Sequence, residues 1–178
     1  MMNEALRIRN TDLTFRFRTV IRDIYEQLLT HQCHERVAVY RGQMLSRIEY
    51  QKLRKSTRSL ISLNSFLSTS INRKIAAQFV SQILNLCASR NSISVIFEIE
   101  ADSAVVRLVN GENQRPFAQI YEFSYYGQEA EVLFVLGPIF RLNEIYDGHS
   151  SADAPIPIIR MIFCSDHMIT ISSYCMIT

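Results

Sequence analysis

The chain has 178 residues, 48% hydrophobic and 20% charged, the size and apolar content of one ordinary packed domain. Five glycines and four prolines exclude collagen-like and low-complexity chains, and the charged fraction excludes global disorder. Nineteen Lys and Arg against seventeen Asp and Glu leave a net charge of only +2, so nothing in the charge calls for a nucleic-acid or an anionic-membrane partner.

Glu4, Arg7 and Arg9 stand where a signal peptide would need an apolar run. The uncharged stretch from Val132 to Phe140, broken by Gly137 and Pro138, falls far short of the ~20 residues of a membrane span. The expectation is a cytoplasmic protein, with secretion by a signal-independent route left open. Cys33, Cys87, Cys164 and Cys175 form no C-x-x-C pair, which fits free thiols in a reducing compartment. His31, Cys33 and His34, with the Cys164-x-x-His167 pair, match no familiar zinc spacing, and no metal site is expected.

From Thr14 to Leu29, the residues Phe17, Val20, Ile21, Ile24 and Leu28 recur at three- and four-residue steps and predict an amphipathic helix capped by Thr11 or Asp12. Arg16, Arg18 and Arg22 lie among Asp23 and Glu26 and read as a solvated face. Val37 to Tyr40 is a short strand ending in a turn at Gly42. Ser46-x-x-Glu49 is a capping box that opens a second helix running to about Thr57. After the run from Leu60 to Ser70, Asn72 caps a third helix on which Ile75, Phe79, Ile83 and Cys87 line one face, with Ala76 and Val80 beside them. Beyond Arg90 the period changes. Ile93, Val95, Phe97 and Ile99 alternate with Ser94, Glu98 and Glu100, a half-buried strand. Val105 to Val109, Phe117 to Phe123 and Glu131 to Phe134 are further strands, separated by turns at Asn110-Gly111 and Tyr126-Gly127. Helices first and strands later argue for α+β with one or two mainly antiparallel sheets. Neither a Gly-x-Gly-x-x-Gly nor a Walker loop is present. In the tail, Asp147 to Ser151 is a turn or linker, Pro155 and Pro157 forbid regular helix, and Ile158 to Cys164 reads as an edge strand or as part of a poorly ordered tail.

Three segments carry chemistry. In Tyr40-Arg41-Gly42-Gln43 a guanidinium can grip phosphate oxygens in bidentate fashion and a glycine admits a ligand to the backbone, the plain alternative being a surface turn. In Ser65-Phe66-Leu67-Ser68-Thr69-Ser70 alternating hydroxyls can brace a side chain or a sugar, the alternative being a polar sheet face. In Gln128-Glu129-Ala130-Glu131 two carboxylates two residues apart on a strand share a face, with Cα atoms roughly 6.5 Å apart. Paired carboxylates at such range perform glycosidic-bond chemistry, one of them stabilising an oxocarbenium-like centre. Glu98 and Glu100 have the same spacing and read as a solvated strand face. Glu129 differs in following Tyr125-Tyr126-Gly127 and preceding an apolar run.

In this order, with these flanks, the segments resemble the cholera-toxin-like, Arg-Ser-Glu branch of the ADP-ribosyltransferases, which includes arginine-specific vertebrate enzymes and actin-modifying bacterial toxins. Arg41, Ser68-Thr69-Ser70 and Glu129-Ala130-Glu131 carry the resemblance over roughly Val37 to Ile145, with Phe97-Glu98-Ile99 and Arg115-Pro116-Phe117-Ala118 between them. The histidine-tyrosine branch would have histidine where Arg41 stands. The resemblance implies two mainly antiparallel sheets packed together with N-terminal helices, in one catalytic domain over residues 1–145, followed by a divergent tail over 146–178. It also implies mono-ADP-ribosyl transfer from NAD, as co-substrate, to an arginine of a target protein, with release of nicotinamide. On that resemblance Arg41 holds NAD phosphate, Gly42 bonds the nicotinamide amide, Ser68 braces the catalytic glutamate or the nicotinamide ribose, and Thr69 beside it belongs to the NAD-binding set. Phe79 packs on the nicotinamide side, although its spacing with Ile75 and Ile83 equally fits a core role. Glu131 is the catalytic carboxylate, Glu129 orients the acceptor, and Tyr125 and Tyr126 lie on the acceptor-recognition loop or pack at its rim. Nicotinamide leaves as a neutral molecule, so the chemistry calls for no metal. An NAD glycohydrolase and a noncatalytic binding module on the same fold are the alternatives.

Overall fold

The computed structural model describes residues 2–8, 10–86, 91–107, 115–120, 130–148, 155–164 and 174–177. The chain begins with α1 (Met2–Arg7), α2 (Thr11–Arg16) and α3 (Arg18–Thr30). The amphipathic helix expected from Thr14 is thus divided. Asn10, rather than Thr11 or Asp12, caps α2 by accepting the Leu13 N–H at 3.0 Å, and the chain turns at Phe17 before α3 resumes.

Strand β1 (Val37–Ser46) runs straight through Gly42, where a turn was expected, because all ten of its residues pair antiparallel with β4 (Ser92–Ala101). Helix α4 (Arg47–Lys55) starts at the predicted capping box. The Glu49 N–H donates to Ser46 Oγ at 3.2 Å, and the Ser46 N–H returns to Glu49 Oε2 at 2.9 Å. Strands β2 (Leu60–Leu63) and β3 (Leu67–Ser70) follow, then α5 (Arg73–Leu86). The strand expected from Val105 starts instead as helix α6 (Ser103–Arg107). There Asp102 Oδ1 accepts the Ala104 N–H at 2.8 Å, and Ser103 donates to the His34 carbonyl at 2.7 Å, so the helix start overrides the β preference of Val105 and Val106. Strands β5 (Phe117–Gln119), β6 (Glu131–Phe134), β7 (Ile139–Gly148), β8 (Ile156–Cys164) and β9 (Tyr174–Ile177) complete the chain. The turns expected at Asn110-Gly111 and Tyr126-Gly127 lie outside the described residues.

The strands form one hydrogen-bonded sheet in the order β5-β6-β3-β1-β4-β8-β7-β2-β9, antiparallel except for β4/β8 and β2/β9. Laid flat, β6 and β7 would be five ladder spacings apart, about 24 Å. Their Phe134 and Phe140 rings are 5.6 Å apart, so the sheet folds on itself, and the two packed sheets are its two arms. A short link carries the chain from one arm to the other, with Gly137 at φ +71° and the Arg115 guanidinium donating to the Gly137 carbonyl. Between the arms lies the core, where Phe117, Phe134, Phe140 and Phe163 are each no more than 2% exposed. Burial of each ring contributes ~1.5–3 kcal/mol, so truncating Phe134 would cost about 3–5 kcal/mol.

The tail segment expected as an edge strand is interior. β8 pairs parallel with β4 and antiparallel with β7. Pro157 sits at its second position, ahead of the β4 ladder that begins at Ile158, and so removes no donor from that side. Ile158, Ile159, Met161, Phe163 and Cys164 are all buried, with Ile159, Met161 and Phe163 in the main core. No helix among the described residues is long and apolar enough to cross a membrane.

Candidate active site

The antiparallel register of β3 with β6 sets Ser68 opposite Leu133 and Ser70 opposite Glu131. Ser68 and Glu131 are therefore diagonal neighbours, within side-chain reach. Ser68 Oγ donates to Glu131 Oε1 at 2.6 Å, a short charge-assisted bond that fixes the carboxylate. Thr69 turns to the other side of the strand, is 4% exposed, and donates to the Val132 carbonyl at 2.8 Å. It anchors the two strands to each other. Ser70 Oγ accepts the Asn72 N–H at 3.0 Å and helps start α5.

β1 and β3 meet at the single register pair Tyr40–Ser70, and the Arg41 guanidinium bridges the strands beside it. Its Nη1 donates to the Ser68 carbonyl at 2.5 Å and its Nε to Gln43 Oε1 at 3.2 Å. Arg41 thus holds the backbone of the serine that holds Glu131. Gln43, part of the Arg41 segment but given no role by the sequence, supports the guanidinium from outside the cleft lining. The available signal was its position two residues beyond Arg41 on one strand, hence on the same face.

Gly42 has a structural reason that the sequence did not disclose. A Cβ there would strike the Ala76 carbonyl and come within 2.8 Å of Val80 Cγ2, so its absence lets α5 lie directly on β1. This close approach rotates the buried face of α5 onto Ala76 and Val80, 3% and 0% exposed. Phe79, expected equally as core, is 49% exposed and stands at the wall of a cleft. Ile75 is half-buried beside it, whereas the Ile83 side chain and Cys87 lie outside what is described.

That cleft has a volume of about 340 Å³. Arg41, Gly42, Ser68, Thr69, Phe79 and Glu131 all line it, together with Tyr40, Ser70, Ile75 and Ala76. Segments 27 and 63 residues apart in sequence therefore converge on one concavity. Glu129, Tyr125 and Tyr126 lie outside the described residues. β6 begins at Glu131, and Ala130 before it has φ +41°.

The other Glu-x-Glu pair is bound up in ion pairs rather than simply solvated. Glu98 Oε1 accepts from Arg160 Nε at 3.1 Å, and Glu100 pairs with Arg36. A second cavity, of about 330 Å³, is bordered by His31, Cys33, His34 and Glu35. Among the described residues no three His, Cys, Asp or Glu side chains are grouped to hold a metal ion. Burial pushes the thiols of Cys33 and Cys164 above their ordinary range, which keeps both protonated and poorly nucleophilic.

The sequence matches no protein-family model and no curated protein. Its architecture is similar to solved structures. Vis, an ADP-ribosyltransferase toxin from Vibrio splendidus solved with an inhibitor, superposes with a TM-score of 0.67 at 20% identity, over 97% of this chain and 70% of that one. The fold is that of the ADP-ribosyltransferases. Vis in complex with agmatine gives a TM-score of 0.62 at 19% identity, over 94% of this chain and 65% of that one, so this chain spans about two thirds of the neighbour's length. Plx2a, an ADP-ribosyltransferase toxin from Paenibacillus larvae, gives 0.63 at 16% identity over 92% and 79%. Within the ADP-ribosyltransferase fold, the cleft beside β1, β3 and β6 is the concavity that gathers the sequence motifs.

Proposed function

We propose that this chain is an NAD-dependent mono-ADP-ribosyltransferase that modifies arginine side chains of a target protein, releasing nicotinamide. The observation that carries this reading is the chain of contacts from Arg41 through the Ser68 carbonyl, and from Ser68 Oγ to Glu131, along one wall of the cleft. Such an arrangement suits a reaction whose barrier lies in positive charge developing on a sugar. As the bond from ribose to nicotinamide breaks, the anomeric carbon becomes oxocarbenium-like, and a preoriented carboxylate opposite it stabilises the transition state more than the ground state. One carboxylate about 4 Å away contributes about 4 kcal/mol at an effective dielectric of 20, roughly a thousandfold in rate.

In this mechanism Arg41 contributes guanidinium N–H groups to NAD phosphate while bracing Ser68, and Phe79 offers an aromatic face to the nicotinamide. Glu131 faces the ribose. Glu129 receives the acceptor guanidinium and takes its proton as it attacks the opposite ribose face. The complex of the similar Vis toxin with agmatine, itself a guanidinium compound, supports arginine as the acceptor class. We extend the catalytic unit beyond residue 145, because Ile156–Cys164 lies inside its sheet between β4 and β7.

Glu129→Gln tests the reading on one residue. Transfer of label from NAD to agmatine should fall about a hundredfold or more, the scale for a positioned base, while nicotinamide release in its absence persists. Equal loss of both would assign Glu129 to NAD or Glu131 rather than to the acceptor. Unchanged transfer would leave arginine specificity without this carboxylate, and wild-type hydrolysis without transfer would make the chain a glycohydrolase.

A further inference from the structure

The net charge of +2 is unevenly spread along the chain. Residues 47–58 hold Arg47, Lys52, Arg54, Lys55 and Arg58 against the single acid Glu49, a net +4 in twelve residues, which leaves −2 for the other 166. This segment is α4 and the turn that follows it. Tyr50 and Leu53 pack against the core, and Glu49 is turned back on Ser46, accepting from its N–H at 2.9 Å and its hydroxyl at 2.7 Å. All five cations are exposed. So is Ile48, at 65%, on the same helix face as Lys52 and Lys55.

The ordinary uses of such cations are met by other groups. Basic side chains in a last turn can bond the final carbonyls, but here Ser56 Oγ donates to the Lys52 carbonyl at 2.9 Å and Thr57 Oγ1 to the Arg54 carbonyl at 3.2 Å. The helix dipole favours cations in the last turn, yet Arg47 stands at the first helical position, where it disfavours them. Nor do neighbouring acids neutralise the face. α4 packs on β1, β4 and β9; β1 and β9 contain no acid, and the Glu98 and Glu100 of β4 pair with Arg160 and Arg36. Glu98 stands opposite Tyr40, six residues and ~20 Å along the sheet from Ser46. Among the described residues, Lys52, Arg54, Lys55 and Arg58 make no ion pair.

We propose that the outer face of α4 docks the protein on an anionic lipid surface, by charge rather than by insertion. A specific protein interface centres on aromatic anchors and is depleted of lysine, whereas this face carries two lysines and its one tyrosine is turned to the core. Single-stranded nucleic acid would need exposed rings to stack on, and the face has none. Long cationic side chains around the outer half of a helix match the diffuse negative charge of a lipid headgroup layer, and Ile48 stands among them to meet it. α4 supplies no residue to the cleft, so the docking does not depend on the proposed transfer chemistry.

Co-sedimentation of the full chain tests this, using phosphatidylcholine vesicles alone or with about 30% phosphatidylserine, at about 0.1 M and about 0.5 M salt. The wild type should pellet with the phosphatidylserine vesicles at the lower salt, be released at the higher, and ignore phosphatidylcholine alone. A cation near such a surface contributes about fivefold in partitioning, so Lys52→Gln and Lys55→Gln should each weaken binding by that factor, and Lys52→Gln/Arg54→Gln/Lys55→Gln about a hundredfold. Arg16→Gln/Arg18→Gln/Arg22→Gln removes the same charge from the N-terminal helices, where Arg22 pairs with Glu26, and should stay within about threefold of wild type. Urea unfolding reads the stability of each variant separately, and the single variants carry the test if the triple one is unstable. The proposal falls if the wild type does not prefer phosphatidylserine. It falls if the α4 variants bind as the wild type does, even with lowered stability, since the charges would then serve the helix alone. Equal loss in the N-terminal triple variant would reduce the effect to net charge and overturn it too. Tighter binding to a DNA duplex or to polyglutamate than to the vesicles, at equal charge, would assign the face to nucleic acid or to an acidic protein instead.

Discussion

Glu98 in β4 and Glu131 in β6 belong to pairs with identical spacing, and the sheet has put them to different use. Glu98 lies opposite Arg160 in the β4/β8 register, accepts from its Nε at 3.1 Å, and receives the Tyr146 hydroxyl at 3.5 Å. The same guanidinium reaches Glu144 at 2.6 Å, so a cation built into the fold is shared between the two carboxylates on this face. Glu131 instead takes a neutral serine hydroxyl and lines a cleft with room for a ligand. A carboxylate neutralised by a fixed guanidinium stabilises little else; one oriented by a hydroxyl keeps its charge for a cation that forms beside it. Residue spacing is the same in both cases, and the partner strand decides.

The contrast is broken most directly at Glu131. Glu131→Gln preserves shape and removes the charge, so nicotinamide release should fall about a thousandfold with little change in NAD affinity measured by calorimetry. Near-wild-type release would mean that Glu131 is as inert chemically as Glu98. Arg41→Ala should weaken NAD binding by about 1.5–3 kcal/mol, roughly ten- to a hundredfold, for the loss of charge-assisted contacts, and should also lower turnover because Ser68 loses its brace. Unchanged affinity in a folded Arg41→Ala protein would confine this residue to bracing. Ser68→Ala leaves the Glu131 charge in place but loosens its aim, and a net hydrogen bond of ~1–1.5 kcal/mol predicts a loss of about tenfold in nicotinamide release, with affinity for NAD preserved. Glu98→Gln is expected to do least. Activity should stay within about twofold, and unfolding in urea should shift by less than ~1 kcal/mol, because this ion pair is partly exposed and Arg160 retains Glu144.

Several local features were legible because their causes are local. The capping box at Ser46 and Glu49 involves residues three apart, and it appears at the predicted place. The alternation from Ile93 to Ile99 likewise gave a strand with Val95, Phe97 and Ile99 inward. Where local signals competed, the reading failed. Asp102 and Ser103 started a helix through β-branched residues, and Gly42 was read as a turn although it lies within a ten-residue strand. The glycine is there for α5, whose Ala76 and Val80 occupy the space of the missing side chain. No pattern around Gly42 shows which helix, if any, will come down on it.

The sequence by itself determined the α+β class, the capping box at Ser46 and Glu49, and the ordered series Arg41, Ser68-Thr69-Ser70, Glu131, since each depends on residue chemistry and on neighbours a few positions away. Only the tertiary structure decided that Ser68 is diagonal to Glu131, that Phe79 faces a cleft rather than the core, and that β8 lies inside the sheet rather than at its edge. It also decided that the chain is left-handed at Ala130, which periodicity had treated as part of a strand. These outcomes turn on register and on which strand lies next to which. Strand alternation has a period of two and is satisfied by many pairings, so the choice among them is made by contacts between residues as far as 63 positions apart.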